Sequence, residues 1–237
     1  MNPTPDARKR KARIEAGMSE LRPGEPRFEQ ICREALSLLG VTTAALILMS
    51  DQEAGALVTA SDEGAAQVED LQFALGEGPC LEAFRTGRVV LADNLDDGPR
   101  EQWPRFVAAA SAAGVRSVFA VPLQLGAIRM GVLYLTRTRT GGLTDGQLAD
   151  AFSLAEMATV ALLEQQSGSV NGELDADLGL RWAHRPVVHQ ATGMVSAHLE
   201  LPLTEALTWL RDTALETRRT IYEVATDVVA RRLRIEA

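Results

Sequence analysis

Apolar residues recur with two periods along this chain, and the change of period separates a mixed α/β part from an all-helical part. Residues 28–39 follow helical spacing and end at Gly40, which predicts a helix with a glycine C-terminal cap. Residues 42–49 predict a β-strand. A polar turn over 51–55 and a short strand over 56–60 should follow it.

The middle of the chain predicts further strands and helices around a short loop. The loop, Leu75-Gly-Glu-Gly-Pro-Cys-Leu-Glu-Ala-Phe84, places Pro79 in the first turn of a helix that Gly87 closes. Beyond it we predict a strand over 88–91, a helix over 100–113, a hairpin with strands 117–123 and 127–135, and a helix over 144–166. The last helix opens with a capping box, Thr144 to Gln147.

Residues 185–233 predict three short amphipathic helices. Pro202 cannot continue the first helix, and Thr204 is the predicted N-cap of the second. Thr220 and Glu223 form a capping box at the start of the third. The predicted core stripes of helices two and three contain Leu203, Ala206, Leu207, Leu210 and Ala214, then Ile221, Val224, Ala225, Val228 and Val229.

Polar and glycine residues over 167–172 interrupt the pattern and mark a domain boundary. The fold class is therefore α+β, with an N-terminal sheet domain and a C-terminal three-helix bundle. We predict a flexible basic tail over 1–27, a sensor-like domain over 28–166, a linker over 167–176 and a helical domain over 177–237. The helix over 144–166 carries two apolar faces, and we expect one to pack on the sheet and the other to form a homodimer.

Charge is distributed unevenly between the two parts. The chain carries a net charge of −8, but from Arg181 onward eight arginines face seven acids, so this part carries +1 and the remainder −9. Such a domain would bind phosphates weakly and in a salt-sensitive way if charge alone acted. The charge is compatible with nucleic-acid binding without establishing it.

Lysine and histidine are absent from residues 12–183, which excludes several functions for that region. A Walker-type phosphate loop and a pyridoxal enzyme need a lysine, and a histidine kinase needs a phosphoacceptor histidine. A phosphorylation-dependent receiver domain needs a lysine beside its acidic pocket. The two cysteines, Cys32 and Cys80, are too few for a disulfide framework or a zinc site. No apolar run approaches the roughly 20 residues of a membrane span, so we expect a cytoplasmic protein.

The pattern from Arg185 through Val188-His-Gln-Ala-Thr-Gly-Met-Val195, continued by Glu205-Ala206, Leu210-Arg211 and Arg218-Arg219, resembles the ANTAR domain of bacterial antitermination regulators. The resemblance implies an RNA-binding domain that recognises tandem stem-loops in mRNA leaders and prevents a terminator hairpin from forming. Many members have a lysine where this chain has Thr192, and this departure bears on phosphate contact there. Candidate RNA-binding residues are Arg185, His189, Gln190, Thr192, Gly193, Trp209, Arg211, Arg218 and Arg219.

Several of these candidates also have a purely structural interpretation. Gly193 in mid-helix costs about 1 kcal/mol relative to alanine, so it should permit the close approach of either another helix or a ligand. Trp209 projects away from the core stripe of its helix and would either stack on an RNA base or be buried at a contact. Arg211, Arg218 and Arg219 flank the turn between helices two and three, where they could clamp phosphates.

The order of strands and helices over 28–166, with the loop and helix at 75–84, resembles a GAF domain joined to an ANTAR domain. The resemblance implies an antiparallel sheet with helices on one side and a small-molecule cavity on the other. Candidate pocket residues are Cys80, Phe84, Trp103 and Phe106, for which plain core is the competing reading. The signature of cyclic-nucleotide GAF domains is missing, and no cofactor is identified beyond an unknown small molecule.

These features favour an RNA-binding regulator that a ligand or partner controls. The alternative is a DNA-binding transcription factor, since three short helices also describe a helix-turn-helix unit. Against this alternative, Glu223 and Asp227 lie outside the core face of the third helix, where a recognition helix usually carries basic and polar residues. An enzyme is not expected, because the first domain shows no paired base and nucleophile.

Overall fold

The computed structural model describes residues 5–21, 25–49, 55–62, 64, 71–97, 101–168 and 185–235. Eight helices and five strands have bounds within these residues, and residues 71–75 are helical as well. In chain order they are α1 (Pro5–Leu21), α2 (Arg27–Leu39), β1 (Thr43–Met49), β2 (Gly55–Ala60), α3 (Pro79–Thr86), β3 (Val90–Ala92), α4 (Pro104–Ala112), β4 (Ser117–Leu125), β5 (Ile128–Arg137), α5 (Asp145–Gly168), α6 (Arg185–Leu199), α7 (Leu203–Glu216) and α8 (Ile221–Val229). Most of the predicted turn over 51–55 and of the linker over 167–176 lies outside the described residues.

The five strands form one antiparallel sheet in the order β2-β1-β5-β4-β3. Successive residues of a strand point to opposite faces, so each central strand contributes to two cores. Leu133 and Leu135 of β5 pack in one core, while Val132 and Tyr134 pack in the other. The predicted α+β class, with a sheet domain and a helical domain, is confirmed.

Helices cover both faces of the sheet. On one face α1, α2 and α5 pack against the apolar residues of β1, β4 and β5. On the other face α3 and α4 enclose a second cluster that includes Cys80, Phe84, Trp103 and Phe106. The predicted arrangement, with helices on one side and a cavity on the other, therefore differs from the structure at this second face.

The N-terminal segment also differs from the predicted flexible tail, because residues 5–21 form α1. Ile14 and Met18 lie one turn apart and are 0% and 2% exposed in the core beneath α2 and α5. Arg10 Nε and Arg13 Nη2 lie 2.9 and 2.6 Å from Asp150 Oδ1 on α5. The basic residues that suggested a solvated tail thus help to dock a helix whose apolar stripe is only two residues long.

Arg137 connects the end of α2 to the loop that precedes α5. Its Nη2 donates to the Leu39 carbonyl over 2.6 Å, its Nε to the Gly40 carbonyl over 3.1 Å, and its Nη1 to the Gly142 carbonyl over 2.9 Å. The guanidinium carbon lies 5.4 Å from the centre of the Phe119 ring. Burial lowers the pKa of Arg137. The fork geometry of the guanidinium allows one side chain to satisfy several carbonyls at once.

In the helical domain, α6, α7 and α8 pack around a core formed by Val188, Ala191, Val195, Ala206, Leu210, Ile221, Val224, Ala225 and Val228. The predicted N-cap at Thr204 is wrong. The Pro202 carbonyl accepts the first helical bond from the Ala206 N–H over 2.9 Å, so α7 begins at Leu203. Leu203 consequently lies in the exposed first turn, 45% exposed, rather than in the predicted core. No helix among the described residues is long and apolar enough to cross a membrane.

Candidate nucleic-acid interface

The outer face of α6 is open and polar around a glycine. His189, Gln190 and Gly193 are all exposed, and they lie within one turn of each other on this face. A Cβ atom added at Gly193 would meet no atom of the described residues within 4 Å beyond its own helix. Packing against a helix within the described residues therefore does not explain the glycine.

Thr192 lies on the opposite side of α6. It is 7% exposed, and its hydroxyl donates to the Val188 carbonyl over 2.7 Å. The structure thus separates Thr192 from the open face and places it against the helical core. Arg185 begins α6, but its side chain lies outside the described part of the chain.

The turn between α7 and α8 presents one exposed arginine and one that is bound to a carboxylate. Arg218 is exposed and adopts a left-handed conformation with φ 54°. The Arg219 N–H donates to the Ala214 carbonyl over 2.9 Å, and this bond places Arg218 just beyond the C-terminal cap of α7, where a left-handed residue closes the helix. Arg219 Nη2 lies 2.5 Å from Asp227 Oδ2, and hydrogen bonds from Arg219 and Arg232 hold the pKa of Asp227 below its usual range.

Arg211 differs from both, because it is 8% exposed and lies beneath a segment of the sheet domain. Its Nε donates to the Phe73 carbonyl over 3.0 Å, and its guanidinium carbon lies 5.5 Å from the centre of the Phe73 ring. The Phe73 side chain is 3% exposed and packs into the core of the helical domain. Gly76 approaches so closely that an added Cβ atom would lie 2.9 Å from Arg211 Nη1.

The segment that carries Phe73 is anchored on the sheet domain by two polar side chains. Gln72 Oε1 accepts a hydrogen bond from the Cys80 N–H over 2.8 Å, and Gln72 Nε2 lies 3.2 Å from Cys80 Sγ. Glu77 Oε1 accepts from the Arg105 and Phe106 N–H groups over 2.6 and 2.8 Å. These bonds fix the segment to the first turns of α3 and α4, where free N–H groups favour such acceptors.

Two concave regions adjoin these residues. A cleft of about 440 Å³ separates the domains beside the segment, with Leu75 and Arg105 on one side and Leu215, Arg219 and Tyr222 on the other. A groove of about 680 Å³ in the helical domain is lined by Met194, Ala197, His198, Val228, Arg231, Leu233, Arg234 and Ile235. Its apolar floor and basic rim lie on the helical domain alone.

The remaining predicted site residues are buried or half-buried. Trp209 is half-buried against the helical core. Cys80, Phe84, Trp103 and Phe106 lie together in the second sheet core, each at most 5% exposed. The Trp103 and Phe106 rings meet edge to face with their centres 6.3 Å apart, and Trp103 Nε1 donates to Glu82 over 3.1 Å. The structure brings the predicted pocket residues together, and it packs them as core.

The structure thus consists of a sheet domain followed by a small helical domain, whose α6 carries an exposed polar face. Residues 27–163 match the family model of the GAF domain, and residues 176–229 match that of the ANTAR domain. The chain belongs to the GAF domain family and is a regulator that joins a GAF domain to an ANTAR domain. The resemblance seen in the sequence is confirmed.

Solved structures show the same fold for the sheet domain. The chain is similar to the GAF domain of an Acinetobacter phosphoenolpyruvate-protein phosphotransferase, with 12% identity, 70% of this chain and 98% of that chain covered, and a TM-score of 0.53. It is similar also to the GAF domain of the corresponding phosphotransferase from Coxiella burnetii, with 13% identity, 68% and 95% covered, and a TM-score of 0.53. These similarities establish the fold alone. No curated protein matches the chain.

The two families define the general role of the chain. ANTAR domains are RNA-binding antiterminators, and GAF domains sense ligands. Both are regulatory domains rather than catalytic ones. The chain therefore joins two domains of regulatory families.

Proposed function

We propose that this protein is an RNA-binding antitermination regulator that recognises paired stem-loops in nascent mRNA and acts in the cytoplasm. Its GAF domain would sense a small molecule or a partner. The observation that carries the proposal is the open face of α6 at Gly193, in a domain that matches the ANTAR family. A mid-helix glycine on which no described residue packs fits a surface that a ligand approaches closely.

The exposed groups on and near this face suit the chemistry of RNA loops. The side chains of His189 and Gln190 can donate and accept hydrogen bonds at base edges, which are accessible in unpaired loops. Arg218 offers an exposed cation to a phosphate. Arg185 and Trp209 remain candidates for a phosphate contact and for base stacking, and Thr192 drops out because it faces the core.

Homodimerisation would raise the RNA affinity of a domain that has a low net charge. The exposed side of α5 carries Phe152 and Val160, two turns apart and 45% and 37% exposed. We propose that this side pairs with a second copy of the chain. A dimer presents two ANTAR domains to two stem-loops, so the second contact becomes intramolecular and the overall affinity rises without further charge.

A fluorescence titration of the full chain tests the proposal with three nucleic acids: a tandem two-hairpin RNA, a single hairpin and a duplex DNA. We expect preference for the tandem RNA, and weaker binding after Gln190→Ala or Arg218→Ala. Arg218→Ala should also lower the slope of log affinity against log salt by about one, since one phosphate contact is lost. Arg88→Ala, an exposed arginine on the sheet domain, is the matched control.

The same preparation tests the dimer. Phe152→Glu should give a monomer in light scattering and should remove the preference for two hairpins over one. Preference for duplex DNA would favour the alternative of a DNA-binding transcription factor. Absence of RNA binding at low salt would overturn the proposed function.

A further inference from the structure

We propose that residues 71–76, here called the latch, cover part of the RNA-binding surface and keep the regulator in a closed state. This inference rests on the proposed function. It follows from Arg211, a candidate RNA-binding residue that the latch buries. In the closed state the latch and RNA compete for the same side of α7.

The contact is made by a side chain that belongs to one domain and packs in the core of the other. Phe73 lies among the buried residues of α6, α7 and α8, whereas Leu75, two residues later, is partly buried against the second core of the sheet domain. Because Phe73 and Leu75 pack against different cores, the segment can move only if one of these two side chains leaves its core. The latch therefore transmits displacement between the domains.

Burial of Arg211 has a direct consequence for RNA. An arginine guanidinium contributes to phosphate binding or base stacking only when nucleic acid reaches it. Under the latch, the Arg211 Nε is bonded to the Phe73 carbonyl and the guanidinium lies against the Phe73 ring. Release of the latch returns a cation to the same end of the domain as Arg218. This matters because the region from Arg181 onward has a net charge of only +1.

The anchors of the latch lead back to the second core of the sheet domain, which holds the predicted pocket residues. Gln72 is bonded to Cys80 in the first turn of α3, and Glu77 is bonded to the first turn of α4. The same two helices carry Phe84, Trp103 and Phe106 into the second core. A ligand that shifts α3 against α4 would move Gln72 and Glu77 apart and so withdraw Phe73 from the helical domain.

The interface between the domains is also incompletely packed, which favours separation. The cleft of about 440 Å³ lies beside the latch, and Leu215 at its edge is 55% exposed. Contacts of this kind resemble transient interfaces more than the interior of one domain. A ligand that binds the closed state more tightly lowers the affinity for RNA. By linkage, RNA lowers the affinity for that ligand by the same factor.

The test compares full-length wild type with Phe73→Ala and Gly76→Ala. Phe73→Ala removes the buried ring. Gly76→Ala keeps the ring but introduces a Cβ atom beside Arg211 Nη1, at a backbone φ of 67° that disfavours side chains. Ile128→Ala, which shortens a side chain that is 65% exposed on the β4–β5 hairpin, is the control. Amide hydrogen exchange reports contact at α7, and a titration with the tandem two-hairpin RNA reports affinity.

We expect both latch variants to exchange faster in α7 and to bind RNA about tenfold more tightly, within the usual range of coupling between sites. Arg211→Ala in the Phe73→Ala background should reverse the gain. Circular dichroism and unchanged exchange in β4 and β5 establish that the variants are folded. Gly76→Ala keeps the test decisive if Phe73→Ala does not fold.

The outcomes separate the latch from the proposed function. Faster exchange at α7 with unchanged RNA affinity overturns the inhibitory role. Unchanged exchange at α7 in both variants overturns the latch itself. If no protein binds RNA although exchange at α7 rises, the proposed RNA function is wrong and the covering of α7 by the latch is supported.

Discussion

Thr220 and Glu223 cap the first turn of α8 by bonding to each other. The Glu223 N–H donates to Thr220 Oγ1 over 3.2 Å, and the Thr220 N–H donates to Glu223 Oε2 over 2.8 Å. Two N–H groups that have no partner within the helix are satisfied in this way. The cap also fixes where α8 begins, immediately after the turn that presents Arg218.

Loss of this cap should destabilise α8 selectively. Thr220→Ala removes the acceptor for the Glu223 N–H, and we expect it to lower the free energy of unfolding by about 1 kcal/mol. Thr208→Ala is the control, because the Thr208 hydroxyl is exposed and only donates to the Thr204 carbonyl within α7. Hydrogen exchange at the α8 amides measures the effect of each of the two substitutions. Equal effects of the two substitutions would contradict the role of the cap.

Acid should weaken the same region. The backbone hydrogen bond from Thr220, followed by the bond from its side chain, holds the pKa of Glu223 below its usual range, and the bonds from Arg219 and Arg232 do so for Asp227. Carboxyl groups with a lower pKa in the folded state stabilise it above their unfolded pKa, roughly 4, and this stabilisation is lost as pH falls through the folded pKa. The protection of the α8 amides, corrected for the intrinsic exchange rate at each pH, should therefore fall below about pH 4.

Glu223→Gln separates the charge from the hydrogen bond in that experiment. Its side-chain oxygen can still accept from the Thr220 N–H, but it does not titrate. We expect protection to fall less steeply between about pH 5 and 3 than in wild type. The difference in slope should correspond to about one titrating group. An unchanged acid profile would assign the dependence to groups other than Glu223.

Gly193→Ala should have opposite effects on stability and on RNA binding. Alanine is favoured over glycine within a helix by about 1 kcal/mol, and the added Cβ atom meets no described residue, so α6 should become more stable. The same atom should obstruct RNA that approaches the backbone and weaken its binding. Thermal unfolding and RNA titration measure the two effects. Greater stability with unchanged RNA affinity would show that RNA does not approach at Gly193.

The docking of α1 should depend on its apolar contacts more than on its ion pairs. Ile14→Ala empties a site that is 0% exposed and should cost about 2–4 kcal/mol. Arg10→Ala should cost under about 1 kcal/mol, because the side chain is partly exposed and Arg13 still contacts Asp150. Urea unfolding of the full chain, followed at α1 by hydrogen exchange, compares the two variants. A larger loss in Arg10→Ala would reverse this ranking.

The sequence predicted best those features whose partners are close along the chain. Both capping boxes, Thr144 with Gln147 and Thr220 with Glu223, join residues three positions apart and are present in the structure. Gly40 adopts the left-handed conformation expected of a C-terminal cap, with φ 58°. Such signals depend on local backbone geometry, so a single sequence contains them in full.

Features that depend on distant partners were not predictable in the same way. Arg211 and Phe73 are 138 residues apart, and no period or motif pairs them, so the sequence indicated Arg211 only as a possible phosphate contact. For α1, the charges of 8–13 outweighed the weaker signal of Ile14 and Met18, which stabilise the helix only because α2 and α5 provide a surface. In both cases, tertiary contacts determine whether the residues are buried.

The two faces of the sheet have different consequences for assembly. The latch emerges beside α3 and α4, whereas Phe152 and Val160 lie on α5, which packs on the opposite face. A dimer built on α5 would leave each latch on an outer flank, where neither copy obstructs the other. Self-association would then depend on the protein concentration, whereas opening of the latch would depend on the chemical signal. The two responses could be adjusted separately.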